Sequence, residues 1–117
     1  MEFCTGEIAF YARGKLYSVS IQGKEIRILF LYHVLERIKK WSLAEEQVLE
    51  TLLCPEEVLR GHGGRYIAQR RYKGSHLVRA IYEYDGNIPV LVTVYFPHAE
   101  RYFQGGKVFE DKIFKRS

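Results

Sequence analysis

The chain has 117 residues, 47% hydrophobic and 27% charged, with 18 basic against 14 acidic side chains and a net charge of +4. That length holds one domain with a single modest core, and the apolar fraction excludes a disordered tail. No apolar run approaches a bilayer span, and Met1-Glu2-Phe3-Cys4-Thr5 lacks a basic-then-apolar leader, which predicts a cytoplasmic protein with no membrane partner.

The first third reads as β. Residues 7–12 alternate loosely and Arg13-Gly14-Lys15 is a turn; residues 16–21 and 25–31 then flank Gln22-Gly23-Lys24, a short hairpin loop in which glycine supplies positive φ. In the second arm Ile26, Ile28 and Phe30 share one face, opposite Glu25, Arg27 and Leu29.

The hairpin runs into Tyr32–Trp41, read as a helix with two sides. His33, Glu36, Arg37 and Lys40 fall at i, i+3, i+4 and i+7, a single polar stripe; Val34, Leu35, Ile38 and Trp41 can face a core. A solvated face of mixed charges is the ordinary outcome of such spacing. A His, a Glu and an Arg within one turn are also the types an acid/base site on a phosphate uses.

A second helix is predicted to start at Ser42-Leu43-Ala44-Glu45, read as a capping box, and to end at Pro55, with Ala44, Val48, Leu49, Leu52 and Leu53 as its apolar stripe. Arg60-Gly61-His62-Gly63-Gly64 reads as a flexible loop and not a P-loop, since no Lys-Ser/Thr follows the glycines. Three strand-like runs follow, residues 65–72, 76–84 and 88–96, whose short turns predict an antiparallel meander. Alternation puts Val78, Ala80 and Tyr82 on one face, with Val90, Val92, Val94 and Phe96. Arg79, Thr93 and Tyr95 fall on the other, among Leu77, Ile81 and Leu91. Beyond Pro97 the pattern dissolves, although Val108, Phe109, Ile113 and Phe114 suggest that the tail docks on the sheet edge or on a partner.

Six basic side chains and no acidic one lie between Arg60 and Arg79, whereas six glutamates lie between Glu36 and Glu57. A basic block of this kind suits an anionic partner, either nucleic acid or an acidic protein. Cys4 and Cys54 make neither a disulfide framework nor a zinc motif, and no His/Asp/Glu set has metal-ligand spacing, so no metal or cofactor is expected. Few amides beside plentiful Lys, Arg, Glu and Tyr lean towards a thermophilic source.

Taken in order, His33-x-x-Glu36-Arg37, the Glu-rich helix ending in Cys54-Pro55-Glu56-Glu57-Val58, Gly64-Arg65, Leu77-Val78-Arg79-Ala80-Ile81-Tyr82 and Val92-Thr93-Val94-Tyr95 resemble a family of small prokaryotic domains grouped with the RelE/ParE-like toxins. Their wider fold group takes its name from barnase, EndoU, colicins and RelE. The resemblance spans roughly residues 30–102 and implies an α+β fold, two helices packed on one face of a small antiparallel sheet. The hairpin of residues 1–31 would be an N-terminal extension and residues 103–117 a tail.

The resemblance also implies the toxin half of a type II toxin–antitoxin pair, a metal-independent endoribonuclease whose partners are RNA, including ribosome-bound mRNA, and a cognate acidic antitoxin. Matched by position, His33, Glu36, Arg37, Arg79 and Tyr95 become the catalytic candidates, with Arg65, Arg70, Arg71, Lys73 and Thr93 as RNA-binding candidates. Such cleavage needs a base for the 2′-hydroxyl, an acid for the leaving 5′-oxygen and cations for the pentacovalent phosphate. His33 and Glu36 suit proton transfer, Arg79 and Arg37 the phosphate, and Tyr95 a hydrogen bond or a stacked base. The alternatives are a non-catalytic nucleic-acid- or protein-binding module with a basic sheet face, and a structural subunit of a complex.

Overall fold

The computed structural model describes residues 2–106 and 110–117. Its strands are β1 (Cys4–Phe10), β2 (Gly14–Ile21), β3 (Lys24–Leu31), β4 (Glu57–Arg60), β5 (Tyr66–Tyr72), β6 (His76–Asp85) and β7 (Ile88–Tyr95). Four helices accompany them: α1 (Tyr32–Lys40), α2 (Glu45–Leu53), α3 (Ala99–Tyr102) and α4 (Ile113–Arg116). The strands form one sheet in the order β1-β2-β3-β7-β6-β5-β4. Every neighbouring pair is antiparallel except β3 and β7, which run parallel with Leu29 opposite Val90 and Phe30 opposite Leu91.

This overturns the expectation of two helices on a small antiparallel sheet behind a separate N-terminal hairpin. The sheet has seven strands and is mixed, and residues 4–31 supply three of them. The physical reason is the share of apolar surface in that segment. Tyr17, Val19, Ile21, Ile26, Ile28 and Phe30 are each 3% exposed or less and sit in the same core as the helices. Burying one large apolar side chain contributes about 1.5–3 kcal/mol, so these six make β2 and β3 integral to the fold.

Local chemistry explains the joints. Gln22 and Gly23 both take positive φ, 47° and 78°, giving the two-residue turn whose twist matches a hairpin. Gly14 starts β2 so close to β3 that a Cβ there would lie 2.1 Å from the Phe30 carbonyl oxygen. β3 passes without a loop into α1, which buries Val34 and Ile38. α2 is capped at Ala44 and not at Ser42: the Gln47 side chain accepts from the Ala44 N–H at 2.9 Å, and Ser42 takes φ 55° in the interhelical turn. Glu45, the expected reciprocal member of that cap, instead accepts from Lys15 Nζ at 2.7 Å and from the Tyr17 hydroxyl.

The meander of β5, β6 and β7 is antiparallel, as the short turns predict. Two details differ. Residues 57–60, where the sequence pattern predicts no strand, pair with β5 as the edge strand β4. A bulge also interrupts β7, for Ile81 faces Thr93 while Tyr82 faces Leu91. The extra residue reverses the alternation: Leu91 joins Val94 and Tyr82 in the core, while Val90 lies on the opposite face beside Leu29.

The C-terminal segment touches both faces. Residues 99–106 lie against the face opposite the core, and at the outer edge of β4 the Glu110 N–H donates to the Val58 carbonyl at 3.0 Å. Ile113 is then 1% exposed in the core and the Tyr82 hydroxyl donates to the Asp111 carbonyl. The tail therefore docks on its own sheet through Ile113 and Phe114, and Val108 and Phe109 lie outside the described residues. Among the described residues no helix is long and apolar enough to cross a membrane.

Candidate functional site

The face of the sheet away from the core carries one continuous polar line. Glu57 of β4 is registered opposite Gln69 of β5, Gln69 opposite Arg79 of β6, and Arg79 opposite Tyr95 of β7. The core-facing neighbours of this line are Val58, Ala68, Ala80 and Val94, all buried, so alternation sends the polar row outward. α1 extends the row by one more residue, because it occupies the place beside the end of β7 that β3 has vacated. From there Arg37 lays its guanidinium over the Tyr95 ring, 5.2 Å from the centroid.

Arg79 lies at the centre of this line. It is half-buried, its Nη1 donates to the Gln69 carbonyl oxygen, and its guanidinium stacks on Tyr102 of α3 at 4.3 Å. Burial pulls its pKa below the ordinary guanidinium value, opposed by the neighbouring Tyr102, Tyr95 and Glu57; it stays cationic at neutral pH. Among the described residues neither Arg79 nor Arg37 pairs with a carboxylate. Beside Arg79 opens a cleft of about 400 Å³ lined by Trp41, Ile81, Tyr95, Phe96, Pro97 and Tyr102. Its mouth is cationic and its walls are aromatic.

Three of the five catalytic candidates therefore meet: Arg37, Arg79 and Tyr95, from a helix and two strands. His33 precedes Arg37 by one turn on the same flank of α1 and is exposed, with no hydrogen-bond partner among the described residues. Glu36 does not join them. It lies 100° around the helix from Arg37 and lines a groove with Tyr32, Leu35, Lys39 and Leu43 on the side of α2. His33 and Glu36 share no hydrogen bond, so the acid/base pair read from the polar stripe is not assembled.

The basic block is distributed differently from its count along the chain. Arg65 pairs with Glu83 at 3.0 Å, and Arg70 pairs with Glu50 at 3.0 Å on the helix side while donating to the Cys54 carbonyl. Arg71 clasps Glu56 at 2.8 Å and stacks on Phe103. Lys73 sits in the β5–β6 turn over the ring of Tyr72. The Thr93 hydroxyl is buried without a hydrogen-bond partner among the described residues, as is Trp41 Nε1.

Four residues of this site escaped the sequence: Trp41, read as core, and Tyr102, Gln69 and Glu57. Glu57 and Gln69 are both 0% exposed. The usable signal was one polar residue per strand at matching register, Glu57, Gln69 and Arg79, each next to a residue that alternation sends to the core. Among the described residues no three His, Cys, Asp or Glu side chains could hold a metal ion. Comparison with protein-family models, with curated proteins and with solved structures found no match to this chain.

Proposed function

We propose that this protein acts on RNA at the Arg37–Tyr95–Arg79 cleft, as a metal-independent endoribonuclease of toxin type. The observation that carries the proposal is that Arg37 lies over the Tyr95 ring and Arg79 stands opposite Tyr95 in register, at the rim of an aromatic cleft, with no carboxylate partner for either guanidinium among the described residues. Two arginines without a carboxylate partner among the described residues form a seat for a phosphodiester: a hydrogen bond to a charged group contributes about 1.5–3 kcal/mol, and the arginine fork fits phosphate oxygens two at a time. Trp41, Tyr95 and Tyr102 offer faces for unpaired bases, each stack worth about 1–3 kcal/mol.

In this reading the 2′-hydroxyl attacks the phosphate held between Arg37 and Arg79. A pentacovalent dianion forms, the two guanidinium groups stabilise it, and the 5′-oxygen leaves with a proton, giving a 2′,3′-cyclic phosphate and a 5′-hydroxyl. Tyr95, between the two cations, donates that proton and is reprotonated from water once the product has left. His33, one turn from Arg37, takes the proton of the 2′-hydroxyl. Glu36 has no part in it, and Arg65, Arg70 and Arg71 are held by glutamates.

A second reading rests on the separation of His33 from Glu36 and the stacking of Tyr102 on Arg79: a module that holds single-stranded RNA without cutting it. Incubation with RNA in EDTA separates the two. The nuclease reading expects new 5′-hydroxyl ends from the wild type and none from Arg79→Ala. Bound but intact RNA with the wild type would leave only the binding module, and RNA neither bound nor cut would remove both.

A further inference from the structure

The polar line has a feature that phosphate binding alone does not require. A fully buried carboxylate, Glu57, points along the sheet towards Arg79 but is separated from it by the carboxamide of Gln69. We propose that Glu57 and Gln69 are positioning residues that fix the Arg79 guanidinium while leaving its positive charge uncompensated, so that this site takes a phosphate oxyanion. The inference rests on the reading above and names how its central cation is kept available.

The polarity of the relay follows from hydrogen-bond chemistry. An ionised carboxylate can only accept. Glu57 Oε1 accepts from Gln69 Nε2 at 2.5 Å and from the Gln104 N–H at 2.7 Å, and Oε2 accepts from the Gly106 N–H at 3.0 Å. The amide nitrogen of Gln69 is thereby directed at Glu57, and it also donates to the Tyr102 carbonyl at 3.2 Å. Its oxygen has one direction left, towards Arg79, from which it accepts. The carboxylate thus orients the amide, and the amide orients the guanidinium.

A glutamate in place of Gln69 would orient Arg79 equally well but would neutralise it as an ion pair, as Glu56 does to Arg71. An interposed amide gives the orientation without the neutralisation. The same carboxylate pins residues 104–106 and so helps set Tyr102, whose ring covers one side of the guanidinium. Among the described residues no other acceptor takes the remaining donors of Arg79, which are left for a ligand in the cleft.

The test exchanges the two side chains. The double substitution Glu57→Gln with Gln69→Glu keeps composition and net charge but moves the carboxylate next to Arg79. The probe is inorganic phosphate, titrated into full-length protein while the Arg79 Nε–Hε resonance is followed by NMR, assigned by its loss in Arg79→Lys. The wild-type signal is expected to shift with phosphate and the exchanged protein's signal to respond at least about tenfold more weakly. With a single-stranded oligoribonucleotide, the salt dependence of affinity should fall by about 0.7, one phosphate contact on a single strand; a merely structural lesion would leave that slope alone. Equal phosphate affinity in both proteins, or a wild-type Arg79 signal blind to phosphate, overturns the proposal.

Should the exchanged pair fail to fold, Gln69→Met decides. It keeps the charge and removes the anchor, so phosphate affinity should drop several-fold with the salt slope unchanged; unchanged affinity overturns the proposal. The outcomes also separate the two claims. A phosphate response of the expected pattern with RNA neither bound nor cut removes the ribonuclease reading and leaves the relay. RNA bound equally by wild-type and exchanged proteins removes the relay and leaves the reading.

Discussion

The guanidinium of Arg37 lies over the ring of Tyr95, 5.2 Å from its centroid, and joins a residue of the first helix to the last strand of the sheet. The contact exists because β3 leaves the sheet at Leu31 and α1 continues along β7 in its place. Arg79 flanks the same tyrosine from the neighbouring strand, in direct register. Arg37 on the Tyr95 ring and Arg79 opposite Tyr95 in register, neither with a carboxylate partner among the described residues, form the arrangement on which the functional reading depends.

Tyr95 should separate binding from chemistry. Tyr95→Phe retains the ring under Arg37 and is expected to bind single-stranded RNA within about threefold of wild type, since the cation–π contact persists. Cleavage should fall by about a hundredfold or more if the hydroxyl serves the leaving oxygen. Tyr95→Ala should weaken both. Anisotropy with a labelled oligoribonucleotide and gel analysis of the products report the two quantities, and unchanged cleavage by the phenylalanine variant rules out a role for the hydroxyl.

Much of this arrangement was legible in the chain. Alternation in residues 76–84 places Arg79 away from the core, and short turns dictate the antiparallel meander. The helical stripe was less faithful. His33, Glu36, Arg37 and Lys40 do share a polar side, but that side is wide enough for Arg37 to meet the cleft while Glu36 turns towards α2. The basic block misleads for a related reason: charges counted along the chain ignore Glu50, Glu56 and Glu83, which reach Arg70, Arg71 and Arg65 across space.

The rest was not local. A parallel pairing between β3 and β7 joins segments separated by both long helices, and no run of residues announces it. The bulge at Val92 shifts the phase of β7 by one, which strict alternation cannot anticipate. β4 is only four residues long and begins two residues after Pro55, too short for a pattern.

Acid should weaken the junction between β2 and α2. Burial pushes the Glu45 carboxyl up, but hydrogen bonds from Lys15 and Tyr17 outweigh it and hold its pKa below the ordinary value. A carboxyl whose folded pKa is lowered contributes stability that is present above its unfolded pKa and is lost as pH falls through the folded one. The melting temperature of wild type should therefore drop more steeply than that of Glu45→Gln as pH falls below about 4.5. Parallel curves for the two proteins would show that the Lys15–Glu45–Tyr17 contact adds no pH-dependent stability.

Alkali should act through the buried phenols. Burial raises the pKa of Tyr82 and Tyr17, with Glu45 adding to the shift at Tyr17. A raised folded pKa means stability that is complete below the unfolded value, about 10, and is lost as pH climbs above it. Unfolding followed by circular dichroism from pH 8 to 12 should set in above pH 10, and later in Tyr82→Phe if its hydrogen bond to Asp111 contributes less than the ionisation penalty. Stability independent of pH across that range would count against the burial of these hydroxyls.

Gly14 tests the seam between β2 and β3. A Cβ at this position would stand 2.1 Å from the Phe30 carbonyl oxygen, with backbone and not a flexible side chain in its way. Gly14→Ala should destabilise the protein by about 2 kcal/mol or more, in the range of backbone clashes and disrupted packing, read as a shift in the urea midpoint. A midpoint within error of wild type would mean that the two strands are further apart at Gly14.

The most direct measurement is incubation of wild-type protein and Arg79→Ala with a defined single-stranded RNA in EDTA, with mapping of the product ends. Fragments bearing 5′-hydroxyl and 2′,3′-cyclic phosphate ends from the wild type, and none from Arg79→Ala at matched thermal stability, are the predicted result. Identical fragments from both proteins, or RNA left intact and unbound by the wild type, would contradict the assignment of this cleft to RNA cleavage.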